Sequence, residues 1–99
     1  MATCVRIALG TPDDAGRLGA DVWREAAREL RERNEAPGSR ESIAATACDS
    51  AAAAAEAGED LHAGVPAYAG RTYRQAAPLR AAWLARVAVR EALGPWGAS

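Results

Sequence analysis

The chain has 99 residues, a formal net charge of −1 and 49% hydrophobic residues, a length for one small domain. More than half of that hydrophobic share is alanine, phenylalanine and lysine are absent, and Leu, Ile and Val together fall below the roughly 20% that warns of a poor core. The near-zero charge excludes the usual disorder signature, and arginine richness without net positive charge gives no argument for nucleic-acid binding, which normally demands a basic surplus or a basic face.

In chain order, residues 4–9, CVRIAL, alternate, with Val5, Ile7 and Leu9 on one side and Cys4, Arg6 and Ala8 on the other. That pattern predicts a short N-terminal strand. Thr11-Pro12-Asp13-Asp14 then reads as a helix start: an N-cap, a proline at the first helical position, and negative charge on the positive end of the helix dipole. The helix is expected over about 12–34, with Leu18, Val22, Ala26 and Leu30 as its apolar stripe, Trp23 on the flank, and Arg24, Glu25, Arg28, Glu29, Arg31 and Glu32 as a solvated face. Gly16 and Gly19 weaken its first turns.

Ala36-Pro37-Gly38 breaks the chain, and Ser39 can cap a second helix over 40–57 that Gly58 would end. The buried face of that helix is expected to carry Ile43 and otherwise only small residues: Ala44, Ala47, Cys48, Ala51, Ala54 and Ala55. Alanine has the best helix propensity, contributes little burial energy per residue and lets a neighbour come close. Residues 58–71 hold three glycines and one proline and read as a loop, with single helical turns at 59–63 and 72–77 as options. Pro78 starts the last helix or kinks a longer one, and Gly94-Pro95 stops it, which predicts a helix over about 78–93. The fold class is therefore mainly α, a small bundle of three main helices with one optional N-terminal strand, in a single domain.

At about 100° per residue, Leu79, Trp83, Val87, Val89 and Leu93 of the last helix spread over one broad side, with Arg86 and Arg90 on its centre line. Ala81, Ala85, Ala88 and Ala92 lie opposite, with Leu84 at the edge. Two readings are open. Either the large residues form the core and the arginines snorkel out, or the alanines pack on the second helix and the Trp/Val/Leu/Arg side faces a partner. A buried arginine needs a paired charge, and tryptophan with arginine is the composition of binding hot spots. The second reading is preferred, with Trp83, Arg86, Val87, Arg90 and Trp96 as the contact residues.

Chemistry is sparse. Cys4 and Cys48 are far apart and lack a CxxC partner, so they read as two buried thiols; a disulfide stays open. His62 is the only histidine, and Glu59-x-x-His62 has the i,i+3 spacing of carboxylate-bridged metal sites, but one copy does not make one. Ser39, Ser42 and Ser50 have no histidine and carboxylate placed with them, and neither a Walker loop nor GxGxxG occurs. No metal and no cofactor are assigned. The arginine-only basic set, without Phe, matches the residue usage of a GC-rich bacterial genome.

Residues 5–33, VRIALGTPDDAGRLGADVWREAARELRER, resemble the opening strand and first helix of the GCN5-related N-acetyltransferases. Many of these begin with a short strand, a Thr-Pro-Asp/Glu-Asp-Ala turn and an amphipathic helix carrying an aromatic near its middle. The resemblance implies acetyl-CoA chemistry, but that family's R/Q-x-x-G-x-G/A loop has no counterpart in this chain, so no functional residue is carried over.

The expectation is a non-enzymatic helical interaction module: a homodimer, accessory subunit or inhibitor that binds protein through its last helix. The alternatives are an acetyltransferase-like or metal-dependent enzyme fragment, and a nucleic-acid-binding regulator resting on arginine count alone. A thin core makes self-association or a protein partner the natural remedy, because ordering costs about 1–2 kcal/mol per residue for the backbone alone. No signal peptide and no apolar run of membrane-spanning length are visible, so no membrane and a cytoplasmic location are expected.

Overall fold

The computed structural model describes the backbone of residues 1–62 and 67–94 and the side chains of residues 1–57 and 80–94. It is mainly α, as the sequence predicts: α1 (Ala2–Leu9), α2 (Pro12–Gly16), α3 (Ala20–Arg33), α4 (Arg40–His62) and α5 (Ala67–Leu93), with no strand among the described residues. The expected Trp96 contact lies outside the described residues.

The first correction concerns residues 4–9, which are helical rather than a strand. Cys4, Ile7 and Ala8 are buried at i, i+3 and i+4 spacing, while Leu9 is 70% exposed. Six residues of alternation fit either period; what selects the helix lies elsewhere in the chain. An isolated helix of 8 residues is marginal in water. Its exposed N-terminal amides need partners, and the Glu29 carboxylate on α3 supplies them. Thr3 N–H donates to Oε2 at 3.2 Å and Cys4 N–H to Oε1 at 3.1 Å. Glu29 is therefore buried rather than part of a solvated face. Burial pushes its carboxyl up, and the bonds from Thr3 and Cys4 more than offset this, holding it below the ordinary glutamate range.

The helix expected over 12–34 is two helices. Thr11 caps α2 as predicted, in a capping box: Asp14 N–H donates to Thr11 Oγ1 at 3.0 Å and Thr11 N–H to Asp14 Oδ2 at 3.1 Å. The helix then stops at Gly16, and α3 restarts with Gly19 as its N-cap in extended conformation. The break turns α3 so that Trp23, expected on the flank, is buried at the centre with Ala26, Ala27 and Leu30, while Leu18 and Val22 are only partly covered.

Helix α4 begins where Ser39 caps it, Ser42 N–H donating to Ser39 Oγ at 3.1 Å. The turn before it uses Gly38 at φ +80°, in the left-handed region that glycine occupies without strain. Helices α3 and α4 run antiparallel. Arg24 pairs with Glu56, Arg31 with Asp49 at 2.6 Å, and Arg33 with Glu41 at 3.9 Å, so later α3 residues meet earlier α4 residues. Exposed pairs of this kind contribute little to stability; their value is in setting register. Helix α4 continues past Gly58 to His62 and α5 already starts at Ala67, so most of the expected loop is helical backbone. A glycine costs about 1 kcal/mol in a helix interior, too little to end one that begins with a long alanine-rich stretch. Helix α5 likewise runs through Pro78.

Helices α4 and α5 pack along their alanines. Ala44, Ala45, Cys48, Ala51 and Ala52 are buried on α4, and Ala82, Ala85, Val89 and Ala92 on α5. Residues 63–66 alone join them, a reach of under about 20 Å. Helix α4, with 23 residues, is about 35 Å long, so the pair runs antiparallel. Ile43, expected in the core, is 59% exposed: the buried row is 44, 45, 48, 51 and 52, and Ile43 falls outside it. Cys4 and Cys48 are free and wholly buried in the same core. Burial pushes each thiol up to about 12, with the Glu29 charge adding to it at Cys4 and the neighbouring Cys4 adding to it at Cys48. Both are neutral thiols that pack as small apolar groups, Cys4 Sγ donating to the Ala26 carbonyl at 3.4 Å.

Two stability predictions follow from this packing. Replacing Glu29 by Ala strips α1 of its charged cap and is expected to cost about 2–3 kcal/mol at pH 7 in urea unfolding. Glu29 has a lowered value in the folded state, so its contribution is present above the ordinary glutamate range and is lost as pH falls through the folded value. The gap between the wild type and Glu29→Ala should therefore close on acidification. Second, Ala85→Leu overpacks the α4–α5 seam and should cost about 1–3 kcal/mol, whereas Leu84→Ala, one residue earlier but outward, should change unfolding of the dilute protein by under about 0.5 kcal/mol.

Candidate interaction surface on the last helix

From Arg80 onward α5 has two opposed faces. Ala82, Ala85, Val89 and Ala92 point into the core, with Ala81, Ala88 and Leu93 partly covered. Arg80, Trp83, Leu84, Val87, Arg90 and Glu91 are exposed. Trp83 is 47%, Leu84 63% and Val87 51% exposed, so three large apolar side chains form one stripe at i, i+1 and i+4. Alanine is the cause. Because the small side is the one that fits α4, the bulky side is turned to water.

The arrangement divides the large residues that the sequence places together. Val89 and Leu93 go inward, Trp83 and Val87 outward. The Leu79 side chain lies outside the described ones. Leu84, placed by the sequence at the edge of the alanine side, belongs to the outer face. The recoverable signal was the register 80, 84, 87, 91, which follows alternating steps of four and three and marks a contact stripe.

Two of the predicted contact residues also hold the fold. Trp83 Nε1–H donates to the Pro12 carbonyl at 3.0 Å, and Arg86 Nε–H to the Gly10 carbonyl at 3.0 Å. Both clamp the corner between α1 and α2 onto α5. Arg86 is half-buried, Arg90 is exposed, and the tryptophan ring keeps about half its surface in solvent while its edge is fixed. An aromatic anchored in this way loses little further side-chain entropy when a partner covers it.

A second concave feature lies between α1 and α2, a cleft of about 360 Å³ lined by Arg6, Ile7, Gly10, Asp14, Ala15, Arg17 and Leu18. Its one carboxylate is engaged in the α2 cap, and the bonds from Thr11 hold Asp14 below the ordinary aspartate range. Among the described residues no three His, Cys, Asp or Glu side chains come together as a metal site, and no described helix is long and apolar enough to cross a membrane. Comparison with protein-family models, curated proteins and solved structures gives no match to this chain.

If Trp83 and Arg86 clamp the N-terminal corner, removing either bond should loosen it measurably. Trp83→Phe keeps an aromatic ring and loses the donor; Arg86→Met keeps the stem and loses the guanidinium. Each is expected to lower unfolding free energy by about 0.5–1.5 kcal/mol. In amide exchange, α1 and α2 should lose protection before α4 does.

Proposed function

We propose that residues 1–99 act as a single, non-enzymatic interaction module that binds protein through the outer face of α5. The observation that supports this reading is the inversion of the last helix, with alanines inside and Trp83, Leu84 and Val87 outside. A small chain gains stability by burying its few large apolar groups, each contributing roughly 1.5–3 kcal/mol. Leaving three of them on one stripe forgoes that gain unless something else covers them. Their surroundings are those of a contact patch: an apolar centre containing tryptophan, with Arg80, Arg90 and Glu91 around it. Trp83, Val87 and Arg90 are the contact residues, Leu84 joins them, and Arg86 supports the face from its edge.

The test places a photoreactive amino acid at Val87 in the native host, and in a parallel strain at Ser50, which is exposed on α4. Irradiation is expected to give one discrete protein adduct from position 87 and none from position 50. No adduct at 87, or the same adducts from both positions, would reject the reading.

A further inference from the structure

We infer that the protein covering this face is a second copy of the same chain, docked two-fold and antiparallel along α5. The inference rests on the interaction reading above and names its partner. It comes from the order of residues on the stripe. Arg80, Leu84, Val87 and Glu91 are exposed and separated by four, three and four positions, so they lie along one line of the helix. The line has a basic end, an apolar middle and an acidic end.

A stripe of that kind complements itself when reversed. With a two-fold axis passing between Ala85 and Arg86, Leu84 of each copy faces Val87 of the other, and Arg80 of each copy faces Glu91 of the other. The contact then has two aliphatic pairs at its centre and one ion pair at each end, the isologous pattern of a cyclic dimer. In antiparallel helix pairs the flanking positions also meet across the seam. These are Trp83 and Arg90, so each guanidinium comes beside the exposed indole face of the other copy, a cation–π contact. A parallel pairing has the opposite outcome. It sets Arg80 against Arg80 and Glu91 against Glu91, and like charges placed together in an interface are strongly unfavourable. The charge order therefore selects both the occupant and its direction.

The contact is short, one face over about three turns, so the dimer is expected to be weak, with Kd on the order of 1–100 µM. Sedimentation equilibrium on the full chain across that range is the measurement, with circular dichroism to establish that each variant is folded. Arg80→Glu places two carboxylates together at both ends of the seam and should weaken the dimer at least 10-fold, and Glu91→Arg should do the same. The double variant Arg80→Glu/Glu91→Arg restores both pairs with their signs exchanged and should return within about 3-fold of the wild type. Residues 80 and 91 are about 16 Å apart along one helix, so the rescue cannot arise within a chain. A monomer at 200 µM overturns the inference, and so does a dimer indifferent to the single reversals or one the double variant fails to rescue. The interaction reading fails separately. An adduct at position 87 with a different protein, from a chain that sediments as a monomer, removes the second copy and leaves the face as a docking surface.

Discussion

Alanine packed on alanine between α4 and α5 is the contact on which the remaining arrangement depends. Side chains of one carbon let two helix backbones approach closely, and little room is then left for bulky groups between them. The seam holds Ala44, Ala45, Ala51, Ala52, Ala82, Ala85 and Ala92, with Cys48 and Val89 as its bulkiest members. Each alanine contributes little transfer energy, so cohesion comes from close contact along two long helices rather than from a few large anchors. Trp23, Leu30 and Ile7 supply bulk from the other side. The exposed stripe on α5 is a consequence of this geometry: a helix whose small side is claimed by its neighbour has only its large side left to present.

The N-terminal helices are fastened to this pair by polar contacts as much as by apolar ones. Helix α1 buries Cys4, Ile7 and Ala8 against α3 and α5, but its backbone termini are satisfied from a distance, by Glu29 at one end and Arg86 at the other. Helix α2 is short and self-capped, and Trp83 ties its first residue to α5. Two side-chain hydrogen bonds thus join α5 directly to the α1–α2 corner.

What was legible in the sequence was local. Thr11-Pro12-Asp13-Asp14, Ser39 and Gly94 each mark a helix end through chemistry within a few residues, and each stands where it was read; Gly94 closes α5 at φ +88°. The outward placement of Trp83 and Val87 was legible too, from the rule that two arginines cannot sit centred in a core without partners. Residues 4–9 and Glu29 depart from expectation for one cause, that the deciding contact lies elsewhere in the chain. Residues 4–9 alternate well enough for a strand, and the contacts that favour the helix, a carboxylate 25 residues on among them, are distant in sequence. Glu29 reads as one more charge on a solvated face, because nothing nearby announces that α1 will lie across it. Gly16 and Gly19 weaken their turns, and the helix breaks between them, α2 ending at Gly16 and packing on α5. Leu84 falls at the alanine edge when the helix is centred on Arg86 and Arg90, and on the outer face when it is centred on the buried alanines.

The roles of Arg86 and Arg90 follow from the same physics. One turn apart on the helix, they look equivalent in sequence, and the environment separates them. A helix C-terminus carries about half a negative charge and a set of carbonyls without internal partners. Helix α1 ends at Leu9, and the Gly10 carbonyl just beyond it accepts Arg86 Nε–H. The half-buried guanidinium is therefore compensated by backbone rather than by a carboxylate, and α1 has Glu29 at its positive end and Arg86 at its negative end, each charge opposing the dipole it meets. That bracketing explains how so short a helix persists, and it commits Arg86 to the fold. Arg90 has no such helix end in front of it and stays exposed on the stripe. Of Arg86 and Arg90, one closes the molecule and the other is left to meet whatever covers Trp83.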